Sequence, residues 1–425
     1  MKIFTHESAR LGESYKSAVL DNGLSVYAYH MPAKQNVYAL LGAGIGSVTR
    51  GFSLGGRDIS APAGVAHFLE HKLFESERGD AFELFAKTGA SANAYTSFER
   101  TCYLFSTSIN AESSLETLLS FVGEPHFTAA TVKKEQGIIG QEIKMYDDSP
   151  DWQLTMLLLG CLYKNHPVRD DIAGTVETIA EITPEVLYDC YNAFYRPENM
   201  ALCVAGSLEP EAVFEAAERL WGSRGNVGGA VKRAAVDEPS EIMSARASKT
   251  MRVAMPQFCL GFKHGVTPEN ERIKRGLAYR LLLSLLFGDT SPFYTGLYDE
   301  GLINETFDAS TMDGDDFCCT AMSGETNDPE RVRAAIITEI ERVKREGLDA
   351  ERFEEHRRAL MGTELCAFDG AEGVASRLMN SHFKRCEIYD IMEEIERIKI
   401  CDVHSLLCRE FDESRSAIAE IEPQQ

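Results

Sequence analysis

The segment His67-Phe68-Leu69-Glu70-His71 sets two imidazoles and a carboxylate within five residues, and these are types and spacings that suit metal chemistry. On a helix, positions i and i+4 share a face one turn apart. His67 and His71 can therefore direct ring nitrogens at one ion, with Glu70 beside it on nearly the same face. A carboxylate there can polarise and deprotonate a water. Zinc suits two imidazoles and a carboxylate, and three protein ligands leave a position open for that water. The bland alternative is a pair of satisfied histidines on a helix whose apolar face is Phe68, Leu69, Leu73 and Phe74. Against it, two histidines and a glutamate on one face are costly to bury unless paired or metallated.

A third ligand must then come from an acidic residue on another element. The stretch from Val132 to Ile143 offers Glu135 and Glu142, seven residues apart and so two turns apart on one helix face. Ile138, Ile139 and Ile143 give that helix apolar packing. Taken by themselves, either glutamate could serve, and two glutamates on a helix are more often a solvated face.

Positioning these groups requires strands and helices whose signals alternate along the chain. Leu24 to His30 alternates in polarity and Val37 to Leu41 is β-rich, followed by a Gly-rich stretch from Gly42 to Gly56. A helix runs through His67 to Phe74, strands fill Gly89 to Ile109, and helices cover Ser114 to Val122 and Thr131 to Tyr146. Further helices come at Thr155 to Tyr163, Val176 to Ile182 and Pro184 to Phe194, before a strand at Met200 to Ala205. Residues 226–240 read as a linker, with Gly228, Gly229 and Pro239 among small and charged residues. That divides the chain into a metal-bearing domain, 1–225, and a second domain, 241–425.

Beyond the linker the order begins again: a strand at Gln257 to Lys263, helices at Arg272 to Phe287 and Ser291 to Glu300, strands about 303 to 323, and a helix at Pro329 to Glu346. The repetition predicts an α+β fold built as an internal duplication. Ala278 to Leu283 falls where Ala66 to His71 falls in the first copy, so the second copy carries no metal ligands. The charge-rich stretch Asp349 to Arg358 reads as a solvated helix.

Composition narrows the function classes. At 425 residues the chain has room for two domains. A formal net charge of -23, from 66 acidic and 43 basic side chains, argues against a nucleic-acid partner, which needs a basic stripe. No apolar run approaches the roughly 18 residues of a spanning helix, and Met1 to Glu7 has no signal-peptide core. Eleven scattered cysteines without a C-x-x-C pair point to a reduced, cytoplasmic protein with no membrane insertion. The remaining eight histidines form no second cluster at ligand spacing.

On these motifs the chain resembles the pitrilysin/insulinase family of inverted-motif zinc peptidases, which includes the β subunit of mitochondrial processing peptidase. His67-Phe68-Leu69-Glu70-His71 matches the family's zinc motif, and Glu142, 71 residues after His71, stands where its third ligand stands. A catalytically important family glutamate two turns earlier carries over to Glu135. Asn93-Ala94-Tyr95-Thr96-Ser97 looks like the family's substrate-binding edge strand, which assigns Asn93 and Ala94 to the peptide backbone. Asp171 to Thr175 and Phe194 to Met200 also resemble family segments, and Pro150-Asp151-Trp152 with Ser291 to Tyr294 resembles a half-length bacterial zinc subunit.

The resemblance implies two homologous α+β domains, each an antiparallel sheet backed by helices, forming half of a clamshell chamber. It implies one Zn2+ per chain, an endopeptidase acting on short or unfolded peptides, and strand addition as the mode of binding. Precursor or leader peptides are the substrates it suggests. Active members place an arginine and a tyrosine in the C-terminal half; here Tyr298 stands at the arginine position and Asn304 at the tyrosine position. The expectation is therefore a heterodimer with a homologous non-zinc subunit that supplies this pair. A homodimeric oligopeptidase and a non-catalytic structural subunit are the alternatives.

Overall fold

The structure, a computed structural model, describes residues 1–77 and 79–424. By packing it divides into two units, each made of three chain segments. The first holds Met1–Ile143, Asp171–Ala235 and Leu365–Tyr389; the second holds Lys144–Asp170, Val236–Glu364 and Asp390–Gln425. The passage at Ala235 and Val236 lies inside the stretch expected as a linker. Among the described residues no helix is long and apolar enough to cross a membrane.

The main sheet of the first unit is built from β1 (Lys2–Ser8), β2 (Glu13–Val19), β3 (Ser25–His30), β4 (Val37–Ala43), β5 (Ser91–Thr96), β6 (Thr101–Thr107) and β7 (Met200–Gly206). They form a seven-stranded sheet in the order β1-β2-β3-β7-β4-β6-β5. Every residue of β7 is buried, and all but Tyr38 of β4. Such continuous apolar runs belong to central strands covered on both faces. At the rim, β5 alternates exposed and half-buried residues, as an edge strand does.

In the second unit, β8 (Arg246–Met251), β9 (Gln257–Lys263), β10 (Asp308–Asp313), β11 (Cys318–Glu325) and β12 (Ser416–Pro423) form a five-stranded sheet. Its order, β8-β12-β9-β11-β10, repeats the order β3-β7-β4-β6-β5 strand for strand. Each sheet is antiparallel except for one matching parallel pair, β3 with β7 and β8 with β12. The late strand of each unit returns after a long crossover, which is how parallel neighbours must be connected. The fold is thus a duplicated α+β design.

The helices include α1 (Val65–Leu73), α2 (Ala129–Asp147), α3 (Pro150–Leu162), α4 (Arg272–Phe287), α5 (Ala350–Cys366) and α6 (Ala371–Lys384). In the first unit α1 packs beside edge strand β5, and in the second α4 packs beside edge strand β10. The far faces of the sheets are covered by exchanged helices. Although it precedes the linker, α3 packs on β9 and β12 of the second unit; although it comes after the linker, α6 packs on β4 and β7 of the first. Each exchange uses a glycine in the central strand. A Cβ at Gly42 would lie 2.6 Å from Met379 Sδ of α6, and one at Gly261 would lie 2.7 Å from Leu158 of α3.

Some elements differ from expectation at their edges. Helix α3 starts at Pro150, with Ser149 before it, five residues ahead of Thr155. Proline is well placed in a first turn, where its missing N–H costs nothing. Strands β1 and β2 lie before the first expected strand. Helix α5 runs on from its charged start to Cys366, burying Phe353, Leu360 and Glu364.

Candidate metal centre

Helix α1 is short and almost wholly buried; Phe68 and Leu69 are fully inaccessible and Leu73 nearly so. Its first turn is placed by two glycines in the left-handed region. Gly64, the N-cap, has φ +88°, and a Cβ there would meet Ala173 O at 2.3 Å. Gly174 has φ +75°, and its Cβ would meet Ala63 O at 2.5 Å. The two backbones interlock, and only residues without a side chain tolerate both the approach and the dihedral. Lys72, fully buried in the last turn, sets its ammonium on the Glu75 carboxylate.

The apolar side of α1 anchors to the core and the other side faces α2. Ring nitrogens of His67 and His71 and a carboxylate oxygen of Glu142 come within 4.8 Å of one another, and they are the one such group of metal-ligating types among the described residues. His67 Nε2 lies 3.5 Å from Glu142 Oε1, and His71 Nε2 lies 3.4 Å from Glu142 Oε2. Ligand atoms each about 2.0–2.1 Å from a tetrahedral zinc stand about 3.3–3.4 Å apart. The donor set and its spacing fit such an ion.

Glu135, buried on the same helix, does something different from Glu142. Its Oε1 lies 3.1 Å from His71 Nδ1. A carboxylate that accepts from one ring nitrogen leaves the other free to face a metal and fixes the tautomer. Among the described residues His67 Nδ1, also buried, has no hydrogen-bond partner.

Glu70 completes the cluster. Burial raises its pKa, opposed by the hydroxyl of Thr96 and by the nearby charges of His67 and His71. For His71, burial works toward a lower pKa, but the hydrogen bond to Glu135 and the charges of Glu70, Glu142 and Glu135 leave it raised. The carboxylate-rich pocket therefore favours a cation at its centre.

Strand β5 runs alongside. Asn93 pairs across the ladder with Leu104 and Ala94 with Tyr103, and β5 is the outermost strand of its sheet. Ala92 and Ala94 pack toward the core, while Asn93 is exposed and its Oδ1 accepts from Ala94 N at 2.9 Å. All seven residues singled out from the sequence thus lie in the first unit. Five of them, His67, Glu70, His71, Glu135 and Glu142, converge, and Asn93 and Ala94 lie on the edge strand β5. From sequence Thr96 reads only as strand; its link to Glu70 crosses 26 residues of chain and has no local signature.

Residues 57–176 match the family model described as insulinase (peptidase family M16), and residues 181–360 match the one described as peptidase M16 inactive domain. The chain is 38% identical over 422 residues to an uncharacterized zinc protease, YmfH, of Bacillus subtilis, covering 98% of each. Its structure is similar to that of an M16-like peptidase from Alicyclobacillus acidocaldarius, with a TM-score of 0.92 and 34% identity, over 96% of this chain and 98% of that one. Over 49% of its length it is 31% identical to a probable mitochondrial-processing peptidase subunit beta of Schizosaccharomyces pombe, spanning 45% of that protein. With a whole-length relative at this identity and both halves of the fold matched, the chain belongs to the M16 (insulinase) family of peptidases.

Proposed function

We propose that this chain is the zinc-bearing subunit of an endopeptidase that cleaves short or unfolded peptides, precursor or leader peptides among them. The observation that carries the reading is the convergence of His67, His71 and Glu142 with Glu70 beside them. In this reading the two imidazoles and Glu142 hold one zinc per chain. A zinc ion there would supply Lewis acidity to the attacking water and the scissile carbonyl. Glu70 takes the proton of that water and returns it to the leaving amine. Glu135 holds the His71 ring by its Nδ1, and a peptide adds as a strand along Asn93 and Ala94 of β5, held by backbone hydrogen bonds.

Stabilisation of the tetrahedral intermediate is assigned to a homologous partner subunit with an arginine and a tyrosine. Two observations support this division. Tyr298 is half-exposed and stacks on Tyr294, ring centres 5.8 Å apart, and Asn304 is engaged with Glu325 at 2.9 Å. Tyr298 offers no cation at the position expected for the arginine, and Asn304 offers no phenol at the position expected for the tyrosine. Eleven free cysteines suit a reducing compartment such as the cytoplasm.

Two variants test the site. Glu142→Ala is expected to lower bound zinc well below one per chain by metal analysis; an unchanged stoichiometry would show that another residue is the ligand. Glu70→Gln is expected to keep zinc and lose turnover by about 10²–10⁴-fold. Assaying the chain alone and co-purified with its partner tests the division of labour, since full activity alone supports a homodimer. No activity in either state, with zinc bound, supports the non-catalytic subunit.

A further inference from the structure

We infer that Thr96 is a positioning residue that sets the orientation of Glu70 and ties it to the strand along which the peptide is expected to bind. The inference rests on the reading of Glu70 as the general base. Thr96 Oγ1 donates to Glu70 Oε2 at 2.5 Å, a length typical of a hydroxyl on a charged carboxylate. A hydroxyl has one proton, and the second acceptor in reach, Thr101 Oγ1, is farther away at 3.3 Å. Thr101, fully buried, commits its own proton to Ile45 O at 2.9 Å. The proton of Thr96 is thus left for Glu70.

The anchor is stiff on the threonine side and soft on the glutamate side. Thr96 is β-branched, with few χ1 choices, and its backbone is the last rung of the β5–β6 ladder, opposite Thr101. Glu70 has three side-chain torsions and sits on a helix face with no other hydroxyl or amide donor to its carboxylate among the described residues. Fixing Oε2 leaves Oε1 to work on the proton of the attacking water. Strand addition to β5 would order Thr96, and through it the base, so that peptide binding and base alignment are coupled. Serine at this position keeps the donor; valine keeps the shape and removes it.

The test uses the natively assembled protein, zinc content by metal analysis, a quenched fluorogenic peptide, and selectively labelled threonine methyls observed by NMR. Thr96→Val is expected to lower kcat about 10- to 100-fold with KM, zinc content and melting temperature unchanged, and Thr96→Ser to restore kcat to within about threefold of the parent. Independently of turnover, the Thr96 methyl resonance is expected to shift in Glu70→Gln and not in Glu75→Gln. Full turnover in Thr96→Val, equal loss in Thr96→Ser, a rise in KM in place of a fall in kcat, or an unmoved methyl in Glu70→Gln overturns the inference. If Glu70→Gln itself keeps turnover, the general-base reading fails and takes this inference with it; if Glu70→Gln is inactive while Thr96→Val is not, this inference alone fails.

Discussion

Glu135 and Glu142 have the same side chain, two turns apart on α2, yet their surroundings separate them. Glu142 presents both oxygens to ring nitrogens of His67 and His71, whereas Glu135 meets only the outer nitrogen of His71. Removing an acceptor behind a metal-bound imidazole characteristically weakens metal binding by about 10- to 100-fold. Glu135→Ala is accordingly expected to raise the zinc dissociation constant by that factor in a chelator competition, while Glu142→Ala is expected to abolish binding. Equal losses in the two variants would mean that the helix, and not these particular contacts, governs zinc binding. From sequence, periodicity puts both carboxylates on one face but cannot say which one turns toward which nitrogen, because side-chain reach across two helices is not written in spacing.

At the scale of elements, the site depends on where α1 begins. Gly64 and Gly174 let two loops meet backbone to backbone, and the Asp171 to Thr175 segment, which sequence alone gives no role, is the abutment. Gly64→Ala would place a Cβ against Ala173 O in a left-handed conformation, at a cost of about 1–3 kcal/mol. A lower denaturation midpoint together with weaker zinc binding is expected; unchanged values for both would remove the abutment from the account. The second unit repeats the helix pair without the metal ligands. There, Arg280 of α4 reaches Glu364 of α5 at 2.6 Å, with the Glu364 carboxylate buried and the guanidinium half-exposed. Arg280→Met leaves Glu364 buried without this partner and is expected to destabilise by about 1–2 kcal/mol, less than for a fully buried pair because solvent reaches the arginine. Glu364→Gln in that background should recover part of the loss.

For the whole molecule, stability ought to depend on pH through histidines that are buried neutral. Burial lowers His264 to about 3 despite Glu410 beside it, and lowers His382 to about 4 with help from Arg385. Both folded values lie below that of an unfolded histidine, so the unfolded chain binds more protons between these limits and stability falls as pH falls. The window runs from about pH 6.5 down to about 4 for His382 and to about 3 for His264. Chemical denaturation across that range is expected to show the decline, and His264→Gln to flatten it. A decline of the same slope in that variant would assign the effect to other groups. If the proposed site holds zinc in the folded chain, added zinc is expected to raise the melting temperature with concentration.

The range of each interaction decides whether sequence alone reveals it. The i, i+4 spacing of His67 and His71, the position of Glu70, the alternation of β3 and the strand character of β4 and β7 depend on neighbours within a few residues, so sequence by itself determined them. The duplication is legible as a repeated order of elements, but not the exchange of α3 and α6, since a helix's apolar face does not name the sheet that it will cover. Only the tertiary structure decided that Met379 sits over Gly42 and Leu158 over Gly261, that Glu135 stands behind His71, and that Thr96 holds Glu70. Each of these contacts joins residues that are far apart in the chain. Their partners are selected by packing geometry, which emerges only when both elements have been placed on the same core.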